Sequence, residues 1–212
     1  GESNGGKKPT IIKFNGERSY VIGIGVDIDF IDILLSDLSG REKKNIYREF
    51  PRDKNPKDMI KTIVKYINKI IEEISVGRDK VEAISLGIPA LVESETGLVR
   101  LCPSIPVWEG INLSEILSKE IAIDVLVDNE ANMSLLGERW KGEAQGINNA
   151  IFIGVGTGVG AGILINGKIY RGSRGSAGEI GYMFIDRNLN KNSSQLYGQF
   201  EYLASNTELR RK

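Results

Sequence analysis

Residues 55–77 hold the feature that leaves the fewest folds open. Met59, Ile60, Ile63, Val64, Ile67, Ile70, Ile71 and Ile74 recur at three- and four-residue intervals, which makes one face of a helix of about five turns apolar. Asn55 suits the cap, Pro56 the first helical position and Gly77 the stop. At about 1.5–3 kcal/mol for each fully buried side chain, the stripe contributes on the order of 10 kcal/mol before entropy. A helix with so broad an apolar face needs a sheet to lie on.

Sheet-forming sequence flanks it. Residues 19–26 (SYVIGIGV) and 31–37 (IDILLSD) read as a hairpin turning at 27–30, and 46–50 as an edge strand ended by Pro51. Beyond the helix, strands at 81–88, 98–101 and 123–127 alternate with helices at 114–120 and 131–140, the last carrying Met133, Leu136 and Trp140 on one side. The alternation is that of an α/β protein. A second unit begins near Asn149. Residues 151–156 and 158–165 read as strands joined at a glycine turn, and Asn166-Gly167 makes a tight turn into 168–170. Ten of the 25 glycines fall between positions 154 and 181, a density that demands close backbone approach or positive φ. Residues 197–212 read as helical, with nothing after them to finish a second sheet, so the second unit reads as truncated.

Charge and composition remove whole classes of function. The 212 residues carry 28 basic and 28 acidic side chains, and this balance gives no general grip on nucleic acid or acidic lipid. Binding is expected in a pocket. There is no histidine, which excludes Ser-His-Asp and Cys-His catalysis and every His-ligated metal site. The single cysteine, Cys102, closes no intrachain disulfide and builds no four-thiolate zinc site, so a reducing, cytoplasmic setting is expected. Residues 1–10 are polar and unlike a signal peptide, and the uncharged stretch 144–167 is too rich in glycine and asparagine for a membrane span.

Three short motifs remain. GVGTGVGAG, residues 154–162, offers successive backbone N–H groups to an anion. It is no dinucleotide fingerprint, because the strand residues Ile163 to Ile165 follow where a helix must open; nor is GILINGK a P-loop, since Ile169 stands where Ser or Thr is required. Asp128-Asn129-Glu130 lies where a strand gives way to a helix, at the sheet edge where α/β folds hold ligands; taken alone it is first a capped helix start. Glu179, in SAGEIGY, is an acid on a flexible backbone. Together these carboxylates and the amide suit vicinal hydroxyls, which both donate and accept.

The runs DNEANMSLLGERWKG and IFIGVGTGVGAGILINGKIYRGSRGSAGEIGYM, with GIP at 87–89 and CPSIPVW ending at Trp108, resemble the ROK family of sugar kinases and sugar-responsive repressors over nearly the whole chain. The resemblance implies an actin-like ATPase (ribonuclease H-like) fold of two lobes, the second truncated here, with sugar bound in the cleft. Residues 1–16 are then a linker, 17–130 the first lobe and 131–212 a partial second lobe. The segment GGKKPTIIKFN resembles the one that joins a winged helix-turn-helix to the sugar domain in the family's repressors.

Departures from the pattern choose between the branches. Kinases of the family carry an Asp-x-Gly-Gly-Thr loop in the first hairpin, where this chain has Gly25, Val26, Asp27, Ile28 and Asp29. Acidic residues there oppose a triphosphate. The kinases' catalytic Asp is replaced by Glu130, whose extra methylene displaces a general base. Tyr182 replaces the zinc-binding His of GEIGH, and residues 186–200 contain no cysteine, so neither zinc nor any other metal or cofactor is expected. The implied function is a sugar-sensing effector domain of a transcriptional regulator, acting without phosphorylation; the alternative is a kinase with a diverged phosphate loop. Asn129, Glu130 and Glu179 are the expected hydroxyl-binding residues. Ser104 stands where the family often has a sugar-contacting Asn and is equally a loop-capping hydroxyl. Arg171 and Arg174 are expected at solvated positions. The partners implied are a monosaccharide, operator DNA through an upstream domain, and a second copy in a homodimer, with no membrane.

Overall fold

The computed structural model describes residues 12–27, 29–50, 55–75, 77–185 and 198–205. β1 (Tyr20–Val26) and β2 (Phe30–Asp37) form the expected antiparallel hairpin, with Val26 opposite Ile31. β3 (Glu42–Glu49) lies antiparallel to β2 and starts earlier than its hydrophobicity suggested. Only Ile46 of this edge strand is buried, so most of its pairing is carried by polar residues. Pro51 lies outside the described residues.

The helix α1 (Pro56–Glu73) follows the sequence reading at its start. Asn55 Oδ1 accepts from the Asp58 N–H at 3.0 Å, and Met59, Ile60, Ile63, Ile67, Ile70 and Ile71 are buried. Its end differs. Ser75, with φ of 54°, takes the left-handed position, whereas Gly77 has an ordinary φ of −62°. The Ser75 N–H donates to the Glu72 carbonyl at 3.0 Å, so the chain has already turned before the glycine.

Four strands and a helix complete the first half: β4 (Val81–Ile88), β5 (Leu91–Glu93), β6 (Leu98–Leu101), α2 (Leu113–Ile121) and β7 (Val125–Asn129). The main sheet has the order β3-β2-β1-β4-β7, with β4 parallel to both β1 and β7. β5, too short for a strand pattern, pairs with β6 in a separate ribbon. β7 begins two residues later than expected, because Ala122 ends α2 with φ of 57° and the chain must extend again before it can pair. The register aligns Gly25 with Gly87 and Gly87 with Asp128. The carboxyl ends of three parallel strands therefore converge, and ligands of α/β sheets bind at such ends.

α3 (Glu130–Lys141) follows β7 directly, and then β8 (Ala150–Val155), β9 (Val159–Ile165) and β10 (Lys168–Ile169) form a second sheet in the order β10-β9-β8. The buried face of α3 is not the expected one. Ala131, Asn132 and Leu135 are buried, while Leu136 and Trp140 are 38% and 49% exposed. Backbone proximity decides this. A Cβ on Gly162 of β9 would sit 2.5 Å from the Ala131 carbonyl oxygen, so the helix approaches β9 at a position where the strand has no side chain. Gly178, at φ of 93°, would place a Cβ 1.9 Å from the Ala161 carbonyl oxygen. Close backbone approach accounts for Gly162, Gly178 and Gly181, and positive φ for Gly167, Gly172 and Gly175.

Asn166 and Gly167 both have positive φ, 50° and 75°, as the tight turn requires. Within the expected C-terminal helix, α4 (Gln199–Ala204) is described; residues 206–212 lie outside the description, as do residues 1–11 of the expected linker. Residues Gly16–Arg18 make one turn of 3-10 helix. Among the described residues no helix is long and apolar enough to cross a membrane.

Candidate functional site

A cavity of about 590 Å³ opens where the carboxyl ends of β1, β4 and β7 face the β8–β9 hairpin. Asn129, Glu130, Glu179 and Ser104 all line it, so the structure brings the four sequence-derived residues together. They come from three different segments. The junction of β7 and α3 delivers Asn129 and Glu130, the loop after β6 delivers Ser104, and the segment after β10 delivers Glu179.

Asn129 is engaged by the fold. Its Oδ1 caps α3 by accepting from the Ala131 N–H at 2.8 Å, and its Nδ2 donates to the Ala90 carbonyl at 3.1 Å. The amide thus fixes the angle between strand, helix and the loop after β4, while remaining in the cavity wall. Ser104 Oγ donates to the Pro89 carbonyl at 3.3 Å. Its loop-holding role is therefore present beside any ligand role.

Glu130 is the first residue of α3 and lines the cavity, where part of its side chain keeps access to solvent. Enclosure by the walls raises its carboxyl to about 7, and the negative charges of Asp27, Glu201 and Glu179 push the same way. Enclosure followed by the charge of Glu201 also raises Glu179. Sequence reasoning missed Glu201 and did not place Asp27 in the ligand cavity. Glu201 sits on α4 and accepts from the Val159 N–H at 2.9 Å; burial raises its carboxyl, which that N–H partly offsets. Its sequence neighbourhood carries no motif, and only the fold brings it to β9. Asp27 directly follows β1 and accepts from the Thr157 hydroxyl in the glycine turn, joining the tips of the two hairpins.

Arg171 corrects another expectation. Its guanidinium pairs with the buried carboxylate of Asp128 and is not left in solvent. Asp128, 4% exposed, also accepts from Asn129 N at 2.8 Å and Asn132 Nδ2 at 3.1 Å. A buried carboxylate needs such partners, and a separation of 43 positions hides the pair in the sequence. Arg174 is exposed, as expected.

Among the described residues, the side chains near GEIGY are poor donors for a zinc ion. Tyr182 is half exposed with its phenol raised by burial and by Glu179, Cys102 is a buried thiol pushed up to about 11, and the described residues contain no cluster of metal-ligating side chains. What the site does offer is carboxylates, hydroxyls and an amide around a space large enough for a small polyol.

Residues 21–212 match the ROK family. The chain is 32% identical over 186 residues to the xylose repressor of Caldicellulosiruptor bescii, covering 88% of this chain and 46% of that protein. It is also 29% identical over 188 residues to the glucokinase of Thermotoga maritima, covering 89% and 58%. The chain spans about half the length of the curated relatives it matches. A ROK family glucokinase from Streptomyces griseus, solved with glucose and AMPPNP, superposes with a TM-score of 0.79 at 26% identity over 91% of this chain and 59% of that one. The architecture is accordingly the actin-like ATPase fold, and the chain belongs to the ROK family.

Proposed function

We propose that the chain is the sugar-binding effector portion of a transcriptional regulator, holding a monosaccharide without phosphorylating it. The observation that carries this reading is the hydrogen bond from Thr157 to Asp27. The turn that serves the family's kinases as a phosphate loop here presents a carboxylate, and that carboxylate is joined to the opposing glycine turn. Triphosphate would meet negative charge and an already bridged gap. The xylose repressors among the relatives support the same branch.

In this reading Glu130, Glu179 and Glu201 accept hydrogen bonds from sugar hydroxyls, with Asn129 and Ser104 completing the wall. Loss of one such contact costs about 1–3 kcal/mol where a buried partner is left unpaired. Occupancy shifts the closure of the lobes, taken as 17–130 and 131–212, and a homodimer passes that shift to an upstream DNA-binding domain.

One observation favours a second reading, that of a kinase with an altered phosphate loop. A carboxyl near 7 is tuned as a general base would be, and glucokinases are among the relatives. Incubation of the full-length protein with ATP, magnesium and an aldose panel separates the two. The effector reading expects a sugar-dependent rise in melting temperature with no ADP release; turnover at about 1 s⁻¹ or faster, within the ordinary enzyme range, would overturn it.

A further inference from the structure

The charge of the cavity is one-sided. Glu130, Glu179 and Glu201 face it together with Asp27, and its described lining contains no lysine or arginine. Arg171, on the segment that also delivers Glu179, is taken up by Asp128. The carboxyl groups reach the space from separate elements: Asp27 from the end of β1, Glu130 from the start of α3, Glu179 from the segment after β10, and Glu201 from α4. Each therefore acts on a ligand from a different side.

Carboxylates that converge on one space from several sides repel an anion placed among them, and no basic residue of the described lining offsets that repulsion. A neutral sugar needs only to donate its hydroxyl protons. A protonated amine in place of one hydroxyl supplies the missing counter-charge. We infer that this cavity selects its sugar by charge, accepting neutral aldoses, favouring those that carry a protonated amine, and rejecting phosphorylated and acidic sugars. The inference rests on the sugar-binding reading above and narrows it to a ligand class.

The preference has a signature beyond affinity. Glu130 stays largely protonated below about 7 because of its enclosure and its acidic neighbours. A cation seated beside it reverses that balance, so the amine expels a proton on binding where the neutral sugar does not.

Calorimetry on the full-length protein near pH 6.5 tests this with two matched sets: D-glucose, D-glucosamine and D-glucose 6-phosphate; and D-xylose, 2-amino-2-deoxy-D-xylose and D-xylose 5-phosphate. In the set that fits sterically, the amine is expected to bind about tenfold tighter than the neutral sugar, and the phosphate at least about tenfold weaker. The heat of amine binding should also vary with the ionisation enthalpy of the buffer. Glu201→Gln should reduce the amine-to-neutral ratio about threefold. A phosphate that binds as tightly as its neutral parent, or an amine that binds more weakly, overturns charge selection and leaves sugar binding standing. If no member of either set binds, both readings fall.

Discussion

The two sheets open with the same antiparallel plan, and they differ in what lies beyond their first strand. β1 pairs with β2 on one side and with the parallel β4 on the other, and Ile22, Ile24 and Val26 are almost fully buried. β8 pairs with β9, and among the described residues its other edge has no partner; Ile151, Ile153 and Val155 along it are 67%, 59% and 52% exposed. One strand sequence is apolar because it is enclosed, the other despite being open. Burial, not strand hydrophobicity, thus marks which sheet carries the stability of this chain.

Their glycines differ in the same direction, and the largest predicted effect follows from that. Gly162→Val should cost at least about 3 kcal/mol, or prevent folding, because it drives a side chain into the Ala131 carbonyl. Gly25→Ala on β1, where a Cβ meets nothing within 4 Å, should change stability by less than about 1 kcal/mol. Denaturant midpoints of the two variants measure the contrast, and equal losses would break it.

Side-chain truncation gives the next largest difference. Ile24→Ala should cost about 2–5 kcal/mol, whereas Ile153→Ala, at 59% exposure, should stay within about 0.5 kcal/mol. Thermal melts of this chain decide it. A substantial loss at Ile153 would show that its face is covered in solution.

The smallest effect lies between the sheets and depends on pH. Because the Glu130 carboxyl is raised from its ordinary value of 4.5 to about 7, the folded state holds a proton that the unfolded state releases. Its contribution to stability is complete below pH 4.5 and is lost as pH climbs through 7. Glu130→Gln should therefore match the parent protein near pH 4.5 and exceed it above pH 7, read as melting temperature against pH. Parallel profiles for the two proteins would refute the enclosure of Glu130.

What the sequence disclosed follows the range of the forces involved. α1 was legible because its cap, its first-turn proline and its stripe all lie within one helix. The turn at Asn166-Gly167 was equally local. The buried face of α3 was misread because counting apolar residues favours Leu136 and Trp140, while docking on β9 is set by the absence of a side chain at Gly162. Glu130 was reached through the Asp128-Asn129-Glu130 motif at a strand-to-helix junction, and Glu179 through the glycines on either side of it. Glu201 lies 42 residues from the Val159 N–H it accepts from, and Arg171 lies 43 from Asp128; neither separation leaves a periodic trace.

Among the described residues, side-chain ties from Arg171 to Asp128 and from Thr157 to Asp27 reach across between the sheets. Of these two, only the Thr157–Asp27 link lies in the wall of the cavity, while Arg171 and Asp128 are outside its lining. A solute that takes the Thr157 hydroxyl as its partner therefore competes with Asp27 and loosens one link between the sheets while leaving the other in place.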